Sequence, residues 1–379
     1  MLNYEFPPIG GGAGKAHLCI LKEFAKTSAL KVDILTSAPK PGFTAEKLSD
    51  GITIYKVGLH KKNLHYWRKS EVIEWLTKSR SHYRRLLRDS HYDLVHAFFA
   101  FPSGWLCYRT AKQLPYIISL RGSDVPGYNI RLGMDYKLLA GLFRRIWSSA
   151  SAIVANSEGL KNLASQFMPE LDIKVIPNGI DTERFHPAQS HKLSKPVKAL
   201  TVCRLISRKR IDLLIKAVAA ARDMGLDIHL SIAGDGNLAE QLQKLSADIG
   251  VTDKVSFLDR VTAEEMPDLY RGNHIFLMSS AHEGMSNAML EAMASGLPII
   301  TTPCEGVEEL VGNNGVVVEQ ASPQAIAVEV KAATEKESNY RKMSEAAVKR
   351  ARRFGWKIVA DEYLSCYHSI IETVERAER

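Results

Sequence analysis

No apolar run in this sequence approaches the ~18 residues that a membrane-spanning helix needs. The opening residues also lack the charged-then-apolar pattern of a leader, so a cytoplasmic setting is expected. Cysteine is sparse. Cys19, Cys107, Cys203, Cys304 and Cys366 are scattered without metal-ligand spacing, which excludes a disulfide scaffold and argues against zinc. No Asp-x-Asp pair occurs, so no dedicated metal is expected beside a phosphate. Internal repeats and low-complexity stretches are missing too.

What remains is the composition of a globular protein, 45% apolar and 24% charged over 379 residues, enough for two domains. The net charge of +8 is uneven: residues 1–185 hold 26 Lys/Arg against 16 Asp/Glu. That half should meet something acidic, either anionic lipid or a phosphorylated acceptor. Nucleic acid is not expected, because no recognised binding motif accompanies the charge.

Short apolar runs alternate with helical patterns, the sign of stacked βαβ units with parallel sheets. Strands are expected at 31–36, 52–57, 93–98, 116–120, 152–155 and 173–176. A second series falls at 198–203, 228–233, 255–258, 275–279, 298–301 and 315–318. His186, Pro187, His191, Lys192, Lys195 and Pro196 crowd 186–196, which reads as a linker between domains at 1–185 and 197–354. Before the first glycine loop only Met1-Leu2-Asn3-Tyr4 remains of a strand, so either that strand is very short or the true start lies upstream.

Residues 282–302 carry the most information. Glu283 and Glu291 bracket a polar loop, Gly284-Met285-Ser286-Asn287, that follows an apolar strand and opens a helix. Such a loop lies at the carboxyl end of a parallel strand, where open α/β sheets bind ligands, and its N–H groups can seat a phosphate. Carboxylates on both sides suit hydroxyls at either end of a diphosphate: Glu283 at a hexose, Glu291 at a ribose. Ile9-Gly10-Gly11-Gly12-Ala13-Gly14-Lys15 is a second strand-to-helix loop whose glycines let backbone approach a phosphate, without the spacing of a Walker loop. Arg204 and Lys209 leave another strand, where two cations would stabilise a departing diphosphate.

Glu, seven residues, Glu, together with Arg-Leu-x3-Lys at 204–209 and the glycine loop after Tyr4-Glu5-Phe6-Pro7-Pro8, resembles retaining glycosyltransferase family four over nearly the whole chain. The resemblance implies the GT-B fold: an α/β protein with two Rossmann-like parallel-sheet domains facing a central cleft. Residues 1–185 would be the acceptor side, 197–354 would bind the nucleotide sugar, and 355–379 would be a helix returning to the first domain. It further implies a metal-independent, retaining hexosyltransferase without cofactor that moves a sugar from a UDP-, GDP- or other nucleotide sugar. The acceptor would be a lipid-linked or saccharide hydroxyl in glycolipid, envelope or exopolysaccharide synthesis. Donor contacts would come from Gly11, Gly12, Arg204, Lys209, Val261, Glu283, Gly284, Met285, Ser286, Asn287 and Glu291. Catalysis would rest on Glu283, Arg204 and Lys209, with Asp124 as an acceptor-side base or merely a turn aspartate.

Arg121 departs from the pattern. Relatives often carry histidine there, and arginine cannot shuttle a proton. Arg121 and His96 are candidate acceptor or cleft residues. Asn178 and Gly179 suit a turn, and Ser157 a helix cap. On the helix expected at 66–88, Val72, Leu76, Tyr83 and Leu87 share a face amid Arg68, Lys69, Lys78, Arg80, Arg84, Arg85 and Arg88. Packing on its own sheet and peripheral contact with an anionic membrane's inner face both fit. A sugar-phosphate synthase of the same fold, a phosphorylase with a pyridoxal lysine, and a non-enzymatic nucleotide-sugar sensor are the competing functions.

Overall fold

The computed structural model describes residues 1–28, 30–64, 66–129, 132–189 and 192–378. The chain divides into two compact units, Met1–Gly179 with Trp356–Arg379, and Ile180–Gly355.

In the first unit, β1 (Val32–Ala38), β2 (Gly42–Ser49) and β3 (Ile52–Gly58) form one sheet in the order β1-β3-β2. The strands β4 (Val95–Phe98), β5 (Tyr116–Leu120), β6 (Ala152–Ala155) and β7 (Ile173–Val175) follow one another in a second, parallel sheet. The opening residues join the two. Leu2 bridges Leu35 of β1 and Ala97 of β4 in parallel, and its N–H donates to His96 O at 2.9 Å. Leu2 is thus paired on both sides.

The strand β2 was not among those expected, and its residues explain why. It is exposed along most of its length and carries Glu46 and Lys47 rather than an apolar face. Antiparallel backbone pairing with β3 after the Asp50-Gly51 turn holds it, helped by the Lys56–Glu46 ion pair at 2.6 Å. Charged side chains on such an edge discourage pairing with other chains.

The second unit is one parallel sheet in the order β10-β9-β8-β11-β12-β13. Its strands are β8 (Val197–Val202), β9 (Ile228–Ala233), β10 (Val255–Phe257), β11 (Ile275–Met278), β12 (Ile299–Thr301) and β13 (Gly315–Val317). They read as apolar runs because both faces are covered. The order reverses between β8 and β11, and an α/β sheet opens a crevice at the carboxyl ends of such a pair.

The division falls earlier than the linker read from the sequence. Ile180 donates its N–H to Phe354 O at 2.7 Å, and the Phe185 ring packs on Tyr270 with centroids 5.8 Å apart. These anchors place 180–185 in the second unit; His191 of the expected linker lies outside the described residues. The helix Trp356–Glu378 contributes Val359, Tyr363, Tyr367 and Ile370 to the first unit's core, with Tyr367 against Phe24. Among the described residues no helix is long and apolar enough to cross a membrane.

Candidate active site

In the second unit, the turns that follow β8 and β11 are stapled together. Ser279 Oγ lies 2.9 Å from Lys209 O and 2.8 Å from Arg210 O, and Ala281 N–H donates to Arg208 O at 2.8 Å. Arg210 takes a left-handed conformation (φ +48°) that turns the chain into the helix Ile211–Asp223. This brings the Lys209 ammonium onto Glu283 Oε1, which also accepts from Ser280 Oγ at 2.8 Å. Burial pushes the Glu283 carboxyl up. The Lys209 charge and hydrogen bond, with Ser280 and Arg208, outweigh that and hold it below its ordinary value. Lysine and carboxylate form one ionised cluster at the switch point. Arg204, exposed, has no carboxylate partner among the described residues.

The helix Asn287–Ala294 begins at Ser286, whose Oγ accepts the Met289 N–H at 3.3 Å. One turn on, Glu291 Oε2 accepts from the Tyr270 hydroxyl at 2.9 Å. Burial and the Glu291 charge push that phenol well above its ordinary value, so it stays a donor. Two close backbone approaches shape the loops. A Cβ on Gly234 would lie 1.8 Å from Cys203 O, and one on Gly306 1.9 Å from Gly284 O, both glycines having positive φ. Gly234 N–H meets Asp259 O at 2.6 Å, which fixes the turn leading to half-buried Val261.

In the first unit, Gly11 and Gly12 are exposed where the helix Gly12–Phe24 starts. Arg121 is held within its own unit. Its Nη1 donates to Asn178 Oδ1 at 3.0 Å, its Nη2 to the Tyr363 hydroxyl at 2.9 Å, and its guanidinium lies 4.5 Å from the Phe98 ring centroid.

Two of the candidate residues hold partners within their own unit. Both oxygens of Asp124 accept backbone N–H groups, from Ala100 at 2.7 Å and Arg121 at 2.9 Å. It clamps a turn, as the turn-aspartate alternative expects, while burial raises its pKa against these amides and the Arg121 charge. Buried His96 is bonded through both ring nitrogens, to Tyr367 at 2.6 Å and Ser119 at 2.7 Å. Burial, aided by His17 and Arg121, lowers its pKa well below the ordinary value, so it is a neutral strut inside the unit.

Residues 10–184 match the Glycosyltransferase Family 4 family and residues 182–350 match Glycosyl transferases group 1, so the two matches run nearly end to end. The chain belongs to the family-four, group 1 glycosyltransferases. A GDP-mannose-dependent α-(1-6)-phosphatidylinositol monomannoside mannosyltransferase from Mycolicibacterium smegmatis is 31% identical over 49% of this chain and 54% of its own length. The chain spans 54–61% of the length of this relative and of two others, from Rhizobium meliloti and Bacillus subtilis. Sucrose-phosphate synthase from Thermosynechococcus elongatus shares the fold at a TM-score of 0.80 and 17% identity, with 98% of each chain covered. HepE from Anabaena, solved with UDP and glucose, does so at 0.71 and 18%, covering 97% of this chain and 98% of its own. The fold is GT-B.

Family-four motifs located Lys209, Glu283 and Glu291 but not their partners. Ser280 and Tyr270 were missed because a lone serine and a tyrosine buried in the short helix Met266–Arg271 carry no sequence signal. His282 and Glu305, paired at 3.1 Å beside Gly284, were missed for the same reason.

Proposed function

We propose that this family-four chain transfers a sugar from a nucleotide-sugar donor to a hydroxyl acceptor with retention of anomeric configuration. The acceptor class is a glycolipid or envelope saccharide, as in the mannosyltransferase relative's name. The reading rests chiefly on the ionised Lys209–Glu283 pair at the switch point of the second unit. Glu283 Oε1 takes both protein donors, leaving Oε2 for a sugar hydroxyl. Lys209 and Arg204 would neutralise the diphosphate, so the reaction needs no dedicated metal. As the bond from the anomeric carbon to the phosphate oxygen breaks, the acceptor oxygen bonds to the same face of that carbon. The acceptor's proton passes to the leaving phosphate. This route uses no protein base, in keeping with the occupied oxygens of Asp124.

Replacing each glutamate separately tests the assignment. Glu283→Gln should lower kcat about 100-fold with little change in nucleotide affinity, whereas Glu291→Gln should weaken nucleotide binding about tenfold and leave kcat nearly intact. Equal losses of nucleotide affinity in both would overturn it. A thermal-shift comparison of UDP-, GDP-, ADP- and TDP-sugars identifies the base, since the true donor raises Tm most.

Peripheral membrane attachment belongs to the same reading. The helix Gly133–Ser148 exposes Met134 (74%) and Leu138 (79%), and the Lys69–Asp135 ion pair at 2.7 Å ties its start to that of the basic helix Lys69–Asp89. Apolar tips beside exposed arginines suit an anionic bilayer surface. Sedimentation with phosphatidylglycerol vesicles should weaken as salt rises, and Met134→Asp with Leu138→Asp should abolish it. Undiminished binding by that variant would remove this helix from the interface.

A further inference from the structure

The helix Lys69–Asp89 buries Trp75 and Tyr83 and leaves a stripe of arginines, Arg80, Arg84 and Arg88, spaced four residues apart on one face. A fourth, Arg109, follows the helix Ser103–Tyr108. Together with Gln113 they surround a pocket of about 320 Å³ that no carboxylate lines. Leu87 and Leu106 supply apolar wall. Arg88 is paired with Asp89 at 2.9 Å, whereas Arg80, Arg84 and Arg109 have no carboxylate partner among the described residues. Packing does not require this concentration of charge, and the three guanidiniums without a carboxylate repel one another and Arg88 unless an anion joins them.

Within the first unit, the position separates this pocket from the glycine loop. The basic helix ends just before β4 begins, and 109–113 just before β5 begins. Both lie toward the amino ends of parallel strands, whereas the glycine loop and Arg121 follow carboxyl ends.

We propose that Arg80, Arg84, Arg88 and Arg109 form a binding site for a phosphate mono- or diester, at the end of the first unit's parallel strands opposite its glycine loop. Guanidinium forks match tetrahedral phosphate oxygens with paired, charge-assisted hydrogen bonds, and the Gln113 amide and apolar wall accommodate the esterified carbon. The size is at the lower end of the roughly 300–1,000 Å³ of small-molecule sites, enough for a glycerol phosphate.

Calorimetry with glycerol 3-phosphate on the whole protein tests this. The wild type should bind saturably, and Arg84→Gln and Arg109→Gln should each raise Kd at least about tenfold. Arg85→Gln, an exposed neighbour outside the pocket, should leave Kd unchanged, as should all three variants for the nucleotide sugar. Two further arms separate the sources. If glycerol 3-phosphate releases the protein from phosphatidylglycerol vesicles, the site holds a lipid headgroup; if binding is intact without release, it holds a soluble phosphate ester. No saturable binding, or an equal loss in Arg85→Gln, overturns the proposal in favour of a diffuse basic surface. Unchanged melting temperatures exclude misfolding, and the donor-site reading stands or falls separately.

Discussion

Lys209→Ala is expected to lower kcat/KM by about 100- to 1,000-fold, the loss typical of removing one preorganised charge contact to a transition state. The effect has two origins. In the proposed reading the ammonium is one of two cations that meet the diphosphate, and it is also the partner that keeps buried Glu283 ionised. In the wild type the carboxyl lies below its ordinary value. The stability it contributes is therefore present above the unfolded-state pKa and lost as pH falls through the folded value. Without Lys209, burial loses its largest opponent and the pKa rises. The acid limb of the kcat/KM profile should accordingly move to higher pH in the variant. Activity and pH profile both close to wild type would mean that the diphosphate lies elsewhere.

Gly306→Ala should damage the protein in a way that a matched control does not. Gly306 and Gly225 share φ +75°, so alanine is strained at either position. At Gly225 nothing lies within 4 Å of the added Cβ, whereas at Gly306 it meets Gly284 O at 1.9 Å. Strain alone, about 1–2 kcal/mol, should lower Tm by roughly 2–8 °C in both. Only Gly306→Ala must also move the backbone at Gly284, so if that loop seats the donor as proposed, it alone should raise the donor KM, by about tenfold or more. A KM unaltered by Gly306→Ala would show that Gly284 does not shape the donor seat.

The buried strands were legible because each is a short apolar run covered on both faces, as in Ile275–Met278 and Ile228–Ala233. The strand Gly42–Ser49 was not, since backbone pairing rather than side-chain burial holds it. Charged motif residues could be picked out because Lys209 and Glu283 sit at fixed spacings in turns after strands and Glu291 in the helix that follows. Their pairings were hidden: Lys209 meets Glu283 across 74 positions, a distance in sequence that no local pattern encodes. The surroundings of His96 were hidden for the same reason. Its partner Tyr367 lies 271 residues on, and without it a strand-end histidine looks like a site residue. Asp124 resembles a base until the two amides on its oxygens are seen.

The last helix sets an order of assembly. Tyr363 and Tyr367 complete the surroundings of Arg121 and His96, yet they leave the ribosome after all of Ile180–Gly355. The second unit, an uninterrupted stretch, has every residue it needs before the first does. The amino-terminal unit is made first and finished last. Until Trp356–Glu378 emerges, the nascent chain must shelter an apolar face lined by residues such as Phe24, together with two polar side chains awaiting their tyrosines.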